Sequence, residues 1–288
     1  MNAIEIRGLE KHFSRFNLGP LDLTVPQGAV YGLIGPNGAG KTTTLDLVLG
    51  LGREDAGSIK VLGLDHQRDE VAMKQQVGYA SPEVLFNAWG RVHKLIRFVR
   101  GFYPSWDDAY CGRLLDSLQI GIDDRIAALS FGSRVKLGLI LALAWHPKIL
   151  ILDEPTAGLD AVSKQQIFSE LLRAVQDEER TVLISSHSLS DLERFADHIG
   201  MIKSGKLLLE GPTSEVVARF QLVDFVTDDE RDFAPVPGIF VRRHERNRWQ
   251  ALVDTRQNPL EAIGARGARQ ISTSPVTLEE VVVALSRE

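Results

Sequence analysis

Residues 35–42 read Gly35-Pro36-Asn37-Gly38-Ala39-Gly40-Lys41-Thr42. An apolar run, Ala29–Ile34, precedes them, and a helix-like stretch from Lys41 to Leu49 follows. Few folds accommodate a strand that passes into a helix through three closely spaced glycines. The glycines let the backbone turn its N–H groups inward as a nest for an anion. The helix beginning near Lys41 adds the positive end of its dipole. Lys41 offers a point charge for the β- and γ-phosphates of a nucleotide, and the Thr42 hydroxyl offers a ligand for Mg2+. Thr43, the next helix residue, belongs to the same nucleotide-contacting set. The spacing G-x-x-x-x-G-K-[ST] at a strand–helix junction is the pattern of a phosphate-binding loop.

A second acidic element accompanies the first. Ile149–Leu152 is continuously apolar, as expected of a strand buried on both faces, and it runs into Asp153, Glu154 and Pro155. Asp153 is placed to hold Mg2+, through water. Glu154 is placed to orient or deprotonate an attacking water, and Pro155 stops the strand.

Short strand-like runs lie at Ala3–Ile6, Leu21–Val25, Ser58–Leu62, Val77–Ala80 and Thr181–Ile184. Helical patterns at Val162–Val175 and from near Ser188 alternate with the later ones, which predicts an α/β fold with a mostly parallel sheet. Between about Arg91 and Leu143 the apolar spacing is mostly helical, so residues from about 87 to 145 read as a helical insertion. After Phe220 the composition shifts to Asp228–Asp232 and to Pro235-Val236-Pro237. The expected organisation is an ATPase domain over 1–220 and an accessory α+β domain over 221–288. The latter has strands at Ile239–Val241, Trp249–Val253 and Ile271–Thr273, a helix at Pro259–Ile263, and a last helix opened by a capping box, Thr277 to Glu280. The charged run Arg242–Arg248 is mixed with Glu245 and reads as a solvated hairpin.

Composition narrows the function classes. The 288 residues carry 33 Lys and Arg against 38 Asp and Glu, a net charge of −5, so no nucleic-acid partner is expected. The single cysteine, Cys111, fits a reducing compartment and reads as a helix residue without chemistry. The N-terminus has no signal-peptide pattern, and no window approaches the roughly 20 apolar residues that span a bilayer.

Leu129-Ser130-Phe131-Gly132-Ser133-Arg134, ahead of Asp153, is similar to the L-S-G-G-Q signature of ATP-binding cassette (ABC) transporters. Ala157-Gly158-Leu159-Asp160 resembles that family's D-loop, and Ser185-Ser186-His187 its switch histidine. The resemblance covers about residues 2–211. It implies a P-loop ATPase core with a mixed, mostly parallel sheet and a helical subdomain. It also implies two cassettes, in a homodimer or paired with a second cassette, closing head to tail around ATP and Mg2+. Ser130 and the Gly132 backbone would contact the γ-phosphate held by the opposite subunit, Asp160 would connect the two sites, and His187 would bond the γ-phosphate and hold the attacking water. Phe13 sits where the family stacks an aromatic ring on adenine, with Phe16 as a nearby competitor. Separate membrane-spanning transporter subunits would be the partners, which places the chain in the cytoplasm, peripheral on the inner face of the membrane.

The sequence departs from the family in two places. Where the family has a glutamine after its Gly-Tyr strand, this chain reads Gly78-Tyr79-Ala80-Ser81-Pro82-Glu83, and Glu83 is the candidate substitute as a metal ligand, one residue late. Phe131 and Ser133 replace a glycine and the glutamine of the signature. Phe102-Tyr103-Pro104-Ser105-Trp106-Asp107 and the ending from Pro275 resemble the ATPases of ABC-2-type exporters. Trp89, Tyr103 and Trp106 would either pack in the core or face a coupling helix. The alternatives kept are a soluble ABC ATPase working on nucleic acid or ribosomes, and a regulatory module that binds ATP with little hydrolysis.

Overall fold

The computed structural model describes residues 1–84, 86–178, 180–187, 189–227, 238–245 and 247–286. The acidic and proline-bearing stretches at 228–237, and Ser188, lie outside the described residues. The chain divides into two compact units, Met1–Leu208 and Leu209–Glu288.

The first unit opens with β1 (Asn2–His12) and β2 (Asn17–Pro26), then β3 (Val30–Ile34) and α1 (Lys41–Val48). Next come β4 (Ala56–Val61), β5 (Leu64–Asp65), α2 (Glu70–Lys74) and β6 (Val77–Ala80). Three helices follow, α3 (Val92–Arg100), α4 (Asp108–Ser117) and α5 (Phe131–Leu143). The chain then alternates through β7 (Ile149–Asp153), α6 (Ala161–Glu178), β8 (Thr181–Ser186), α7 (Leu189–Phe195) and β9 (His198–Lys203), and β10 (Lys206–Pro212) runs across the division at Leu209.

Two sheets result. One is antiparallel, in the order β2-β1-β4-β5, with Ile6 opposite both Leu23 and Ile59. The other runs β10-β9-β3-β8-β7-β6 and is parallel from β9 to β6. Every residue of β3, β7 and β8 is buried. Their apolar runs therefore lack the alternation of a half-exposed strand, as a covered parallel sheet requires. The inner faces of both sheets meet α1 in one core that includes Ile4, Ile6, Leu23, Leu33, Leu45 and Ile151. Each such side chain contributes about 1.5–3 kcal/mol by leaving water. Residues 135–143 of α5 are buried all round, which explains an apolar run that is long for a helix yet too short to cross a membrane.

The β9–β10 pair is absent from the strand pattern read from the sequence, although its turn, Ser204-Gly205, carries a hairpin signature with both residues at positive φ.

The second unit contains α8 (Thr213–Ala218), β11 (Phe220–Val226), β12 (Ile239–Glu245), β13 (Arg248–Asp254), α9 (Pro259–Ala265), β14 (Arg269–Ser274) and α10 (Leu278–Ser286). Its sheet is antiparallel in the order β12-β13-β11-β14. Phe225, Trp249, Val253 and Ile263 fill its core. The units divide at Leu209, whereas the composition shift lies beyond Phe220. The reason is that β11, which begins at Phe220, is a central strand of the second sheet and α8 packs on it. β12 and β13 form the hairpin expected around Arg242–Arg248. Thr277 and Glu280 exchange the two hydrogen bonds of a capping box, Thr277 N to Glu280 Oε2 at 3.0 Å and Glu280 N to Thr277 Oγ1 at 3.2 Å.

Candidate nucleotide site

The phosphate loop joins β3 to α1. Gly35 has φ 155°, and an added Cβ there would lie 2.1 Å from the carbonyl oxygen of Ile202 on β9. Only glycine fits that close approach. Gly38 and Gly40 also lie at positive φ, and Pro36, Asn37 and Gly38 are exposed while Ala39 and Gly40 are buried. The loop rests on the β9–β10 turn: the N–H of Gly205 donates to Ala39 O at 2.9 Å, and Gly19 N–H donates to Gly205 O at 2.7 Å. An added Cβ at Gly205 would meet the Asn17 carbonyl oxygen at 1.9 Å.

Lys41 is 6% exposed, and its ammonium donates to Gly35 O at 2.8 Å while standing 3.4 Å from Glu154 Oε1. The Thr42 hydroxyl donates to Asp153 Oδ2 at 2.8 Å. Thr43 follows, half-buried on α1. Asp153, at the end of β7, is buried, and its other carboxylate oxygen accepts a short hydrogen bond from the Ser185 hydroxyl. Glu154 has φ 47°, a left-handed backbone that costs a non-glycine residue about 1–2 kcal/mol. Its N–H donates to Ser185 Oγ at 2.9 Å and to Ser185 O at 3.2 Å, which holds the turn. Its Oε2 lies 2.7 Å from His187 Nδ1, and His187 stands exposed just past the end of β8.

Sequence reasoning named Ser185 only within the Ser185-Ser186-His187 run, with no role of its own, and did not name Asp46. Asp46 lies four residues beyond Thr42 on α1, one helical turn along the same face. Burial, then the charges of Asp153 and Glu83, push its carboxyl above the ordinary range. Glu83 itself occupies an exposed turn after β6, where its N–H donates to Ser81 Oγ at 3.2 Å. Its carboxylate makes no hydrogen bond among the described residues.

The remaining candidates lie apart from this cluster in sequence and in local role. Ser130 caps α5, accepting from Ser133 N at 3.1 Å, and Gly132 follows in the first turn. Asp160 caps α6 through the N–H and hydroxyl of Ser163, and these bonds hold its carboxyl below the ordinary range. Phe13 is 48% exposed in the loop after β1, its ring 6.2 Å from that of Phe16. Phe16 is half-buried against Gly40 of the phosphate loop. In the helical block, Tyr103 stacks on Trp145 at 4.1 Å, Trp89 packs on Phe98 at 4.0 Å, and Trp106 Nε1 donates to Asp108. Cys111 is buried on α4.

The donor set suits a nucleotide with a hydrated divalent ion. A glycine-rich loop at a helix start and one buried ammonium suit anionic oxygens, while one hydroxyl and one carboxylate are what Mg2+ takes from a protein when phosphates and waters complete its shell. Among the described residues, no three His, Cys, Asp or Glu side chains gather to hold a metal by themselves.

Comparison with known proteins points the same way. The ABC transporter family matches residues 18–157. The daunorubicin/doxorubicin resistance ATP-binding protein DrrA of Streptomyces peucetius is 30% identical over 99% of this chain and 92% of its own length. The ABC transporter ATP-binding protein YtrB of Bacillus subtilis is 32% identical over 71% of this chain and 70% of its own. Among solved structures, the ATP-binding subunit of an ABC transporter superposes with TM-score 0.68 at 24% identity, covering 75% of this chain and 92% of that one. Fold, loop chemistry and relatives agree that the chain belongs to the ABC transporter family, as an ATP-binding subunit that hydrolyses ATP.

Proposed function

We propose that this protein drives an exporter: it binds MgATP, closes on a second cassette, hydrolyses the nucleotide and passes the resulting movement to separate membrane-spanning subunits. The observation that carries the reading is Glu154, whose carboxylate is held between Lys41 and His187 beside the phosphate loop. A carboxylate fixed on both sides at the phosphate end of the site is placed to take a proton from water.

In this reading the loop N–H groups and Lys41 bind the phosphates and stabilise charge that develops in the transition state. Mg2+ would be held by Thr42 and Asp153, and it supplies charge neutralisation and orientation of the phosphate oxygens. Ser185 fixes Asp153 on one side and the Glu154 backbone on the other. Glu154 accepts the proton of the attacking water, and His187 steadies the carboxylate and the water. Phe13 offers an exposed ring to adenine. Ser130 and Gly132, at the start of α5, would face the phosphate bound by the second copy, with the helix N-terminus favouring the anion. Asp160 would link the two sites. Glu83 would join the metal shell from the turn after β6.

The membrane partner would dock at an apolar cavity of about 390 Å³ lined by Leu51, Tyr79, Phe86, Tyr103 and Trp145. No helix of the described residues is long and apolar enough to cross a membrane, which fits a chain acting from the cytoplasmic face on separate spanning subunits. Export is supported by the relatives, which include a lantibiotic transport protein of Streptococcus pyogenes and a Nod factor export protein of Burkholderia lata, each 35% identical over 72% of this chain.

The test pairs phosphate release with light scattering in ATP. The wild type should turn over, and Glu154→Gln should bind ATP, release phosphate at a small fraction of the wild-type rate and accumulate as a dimer. Equal turnover by the two proteins would defeat the assignment of Glu154. A variant that stays monomeric in ATP would defeat the two-cassette arrangement.

A further inference from the structure

We propose that the exposed side of α3 and the residues flanking it bind an anionic lipid surface directly. Between Glu83 and Asp107 the chain contains no acidic residue, yet it carries Arg91, Lys94, Arg97 and Arg100 in a protein whose net charge is −5. The same stretch holds two of the four tryptophans, Trp89 and Trp106. The longer acid-free stretch between Asp124 and Asp153 carries as many Lys and Arg but only two aromatic rings, Phe131 and Trp145, against six here, so it is the pairing of cations with rings that sets this stretch apart.

The helix sorts these residues by face. Val92, Leu95 and Ile96 are buried. Lys94, Arg97 and Phe98 recur at helical spacing on the opposite side, and Phe102 continues the stripe one turn on. Phe98 is 46% exposed and Phe102 61%, and their rings meet edge to face at 5.0 Å. Trp89 also packs on Phe98, at 4.0 Å, so the three rings form one contiguous aromatic cluster. Lys94 and Arg97 have no ion-pair partner among the described residues. Arg100 pairs with Asp108 at 2.9 Å, but both side chains are more than half exposed, and such a surface pair exchanges readily for other anions. Arg91 donates to the Asp123 carbonyl, and His93 faces Asp123 at 3.3 Å.

Aromatic rings flanked by lysine and arginine are the chemistry of a membrane–water interface. The rings enter the headgroup boundary, and the cations reach lipid phosphates from apolar stems. Near an anionic leaflet each such cation contributes about 1 kcal/mol. A protein partner would need acidic groups to match Lys94 and Arg97, whereas an anionic bilayer supplies them at any register. The proposal stands on α3 and its flanks alone and needs neither the docking cavity nor nucleotide.

The experiment is flotation of the full-length protein with vesicles of pure phosphatidylcholine and with vesicles carrying added phosphatidylglycerol, no membrane protein being present. Binding should rise with phosphatidylglycerol and fall with added salt. Lys94→Glu/Arg97→Glu should lose about tenfold or more of the affinity for anionic vesicles, by loss of two favourable charges. Phe98→Ser/Phe102→Ser should weaken binding at low salt as well, with ATP turnover unchanged in both variants as the check on folding. Equal recovery on neutral and anionic vesicles, or equal binding by wild type and variants, would overturn the proposal. So would absent vesicle binding joined to loss of a co-purifying membrane protein in the variants, which would assign the cluster to a protein partner.

Discussion

Nδ1 of His187 lies 2.7 Å from Oε2 of Glu154. The other oxygen of that carboxylate is 3.4 Å from the Lys41 ammonium. One acid thus ties the end of β8 to the phosphate loop. Glu154→Gln keeps the shape of the side chain and removes its basicity, so steady-state phosphate release should fall by about 10²–10⁴-fold with ATP binding retained. Release measured under saturating ATP checks this.

Lys41→Ala removes the one buried ammonium at the loop. Charge-assisted bonds to phosphate contribute about 1.5–3 kcal/mol, so nucleotide affinity should drop by about ten- to a hundredfold. Titration calorimetry with ATP gives the number, and an unchanged Kd would refute the placement of phosphate on this loop.

Two glycines of the same loop should respond differently to alanine. At Gly35 the new methyl would collide with the Ile202 carbonyl oxygen, whereas at Gly38 it would meet nothing within 4 Å. Gly38→Ala should cost only the left-handed backbone, about 1–2 kcal/mol. Gly35→Ala must also displace β9 and should cost about 3 kcal/mol or more. Urea unfolding of the two variants decides the order.

Acid should weaken the second unit through one pair. Burial alone would raise the Asp254 carboxyl, but hydrogen bonds from Arg219 and from the Arg256 N–H outweigh it and hold the group below its ordinary range. Arg219 Nε lies 3.0 Å from both carboxylate oxygens. The contribution is therefore full above the unfolded value of about 4 and is lost as pH falls through the lower folded one. Asp254→Asn should destabilise this unit by about 2 kcal/mol at neutral pH, with the difference shrinking in acid. Hydrogen exchange at the β11 and β13 amides against pH reads it.

Cys111 should be inert while the protein is folded. Burial, then the nearby charges of Asp108 and Asp107, push its thiol up to about 11. At pH 7 only about one molecule in ten thousand carries the thiolate. Labelling with iodoacetamide should be negligible in buffer and rapid in denaturant.

Much of this was legible in the sequence, for reasons that differ between residues. Val30–Ile34, Ile149–Asp153 and Thr181–Ser186 are buried on both faces, so their apolar runs announce strands without alternation. The loop residues and the Asp153-Glu154 pair declare themselves because phosphate chemistry restricts residue type and spacing. Ser185 did not, since a serine at a strand end carries no signal until β7 and β8 are set side by side and Asp153 comes opposite it. Asp46 was hidden by a helix whose apolar periodicity looked ordinary. The strands β9 and β10 were missed because a short hairpin at a sheet edge offers little beyond its Ser204-Gly205 turn. The Leu209 division was masked because α8 and β11 resemble the preceding domain in composition.

That overlooked turn bears on how nucleotide meets the protein. Gly205 braces the loop at Ala39 and grips β2 at Gly19, and a Cβ added there would collide with the Asn17 carbonyl oxygen. The anion nest is therefore shaped during folding, and arriving nucleotide need not spend its own affinity in ordering the backbone. A side chain introduced at position 205, far along the chain from the phosphates and touching none of them, would surface in a binding assay as an entropic penalty on ATP.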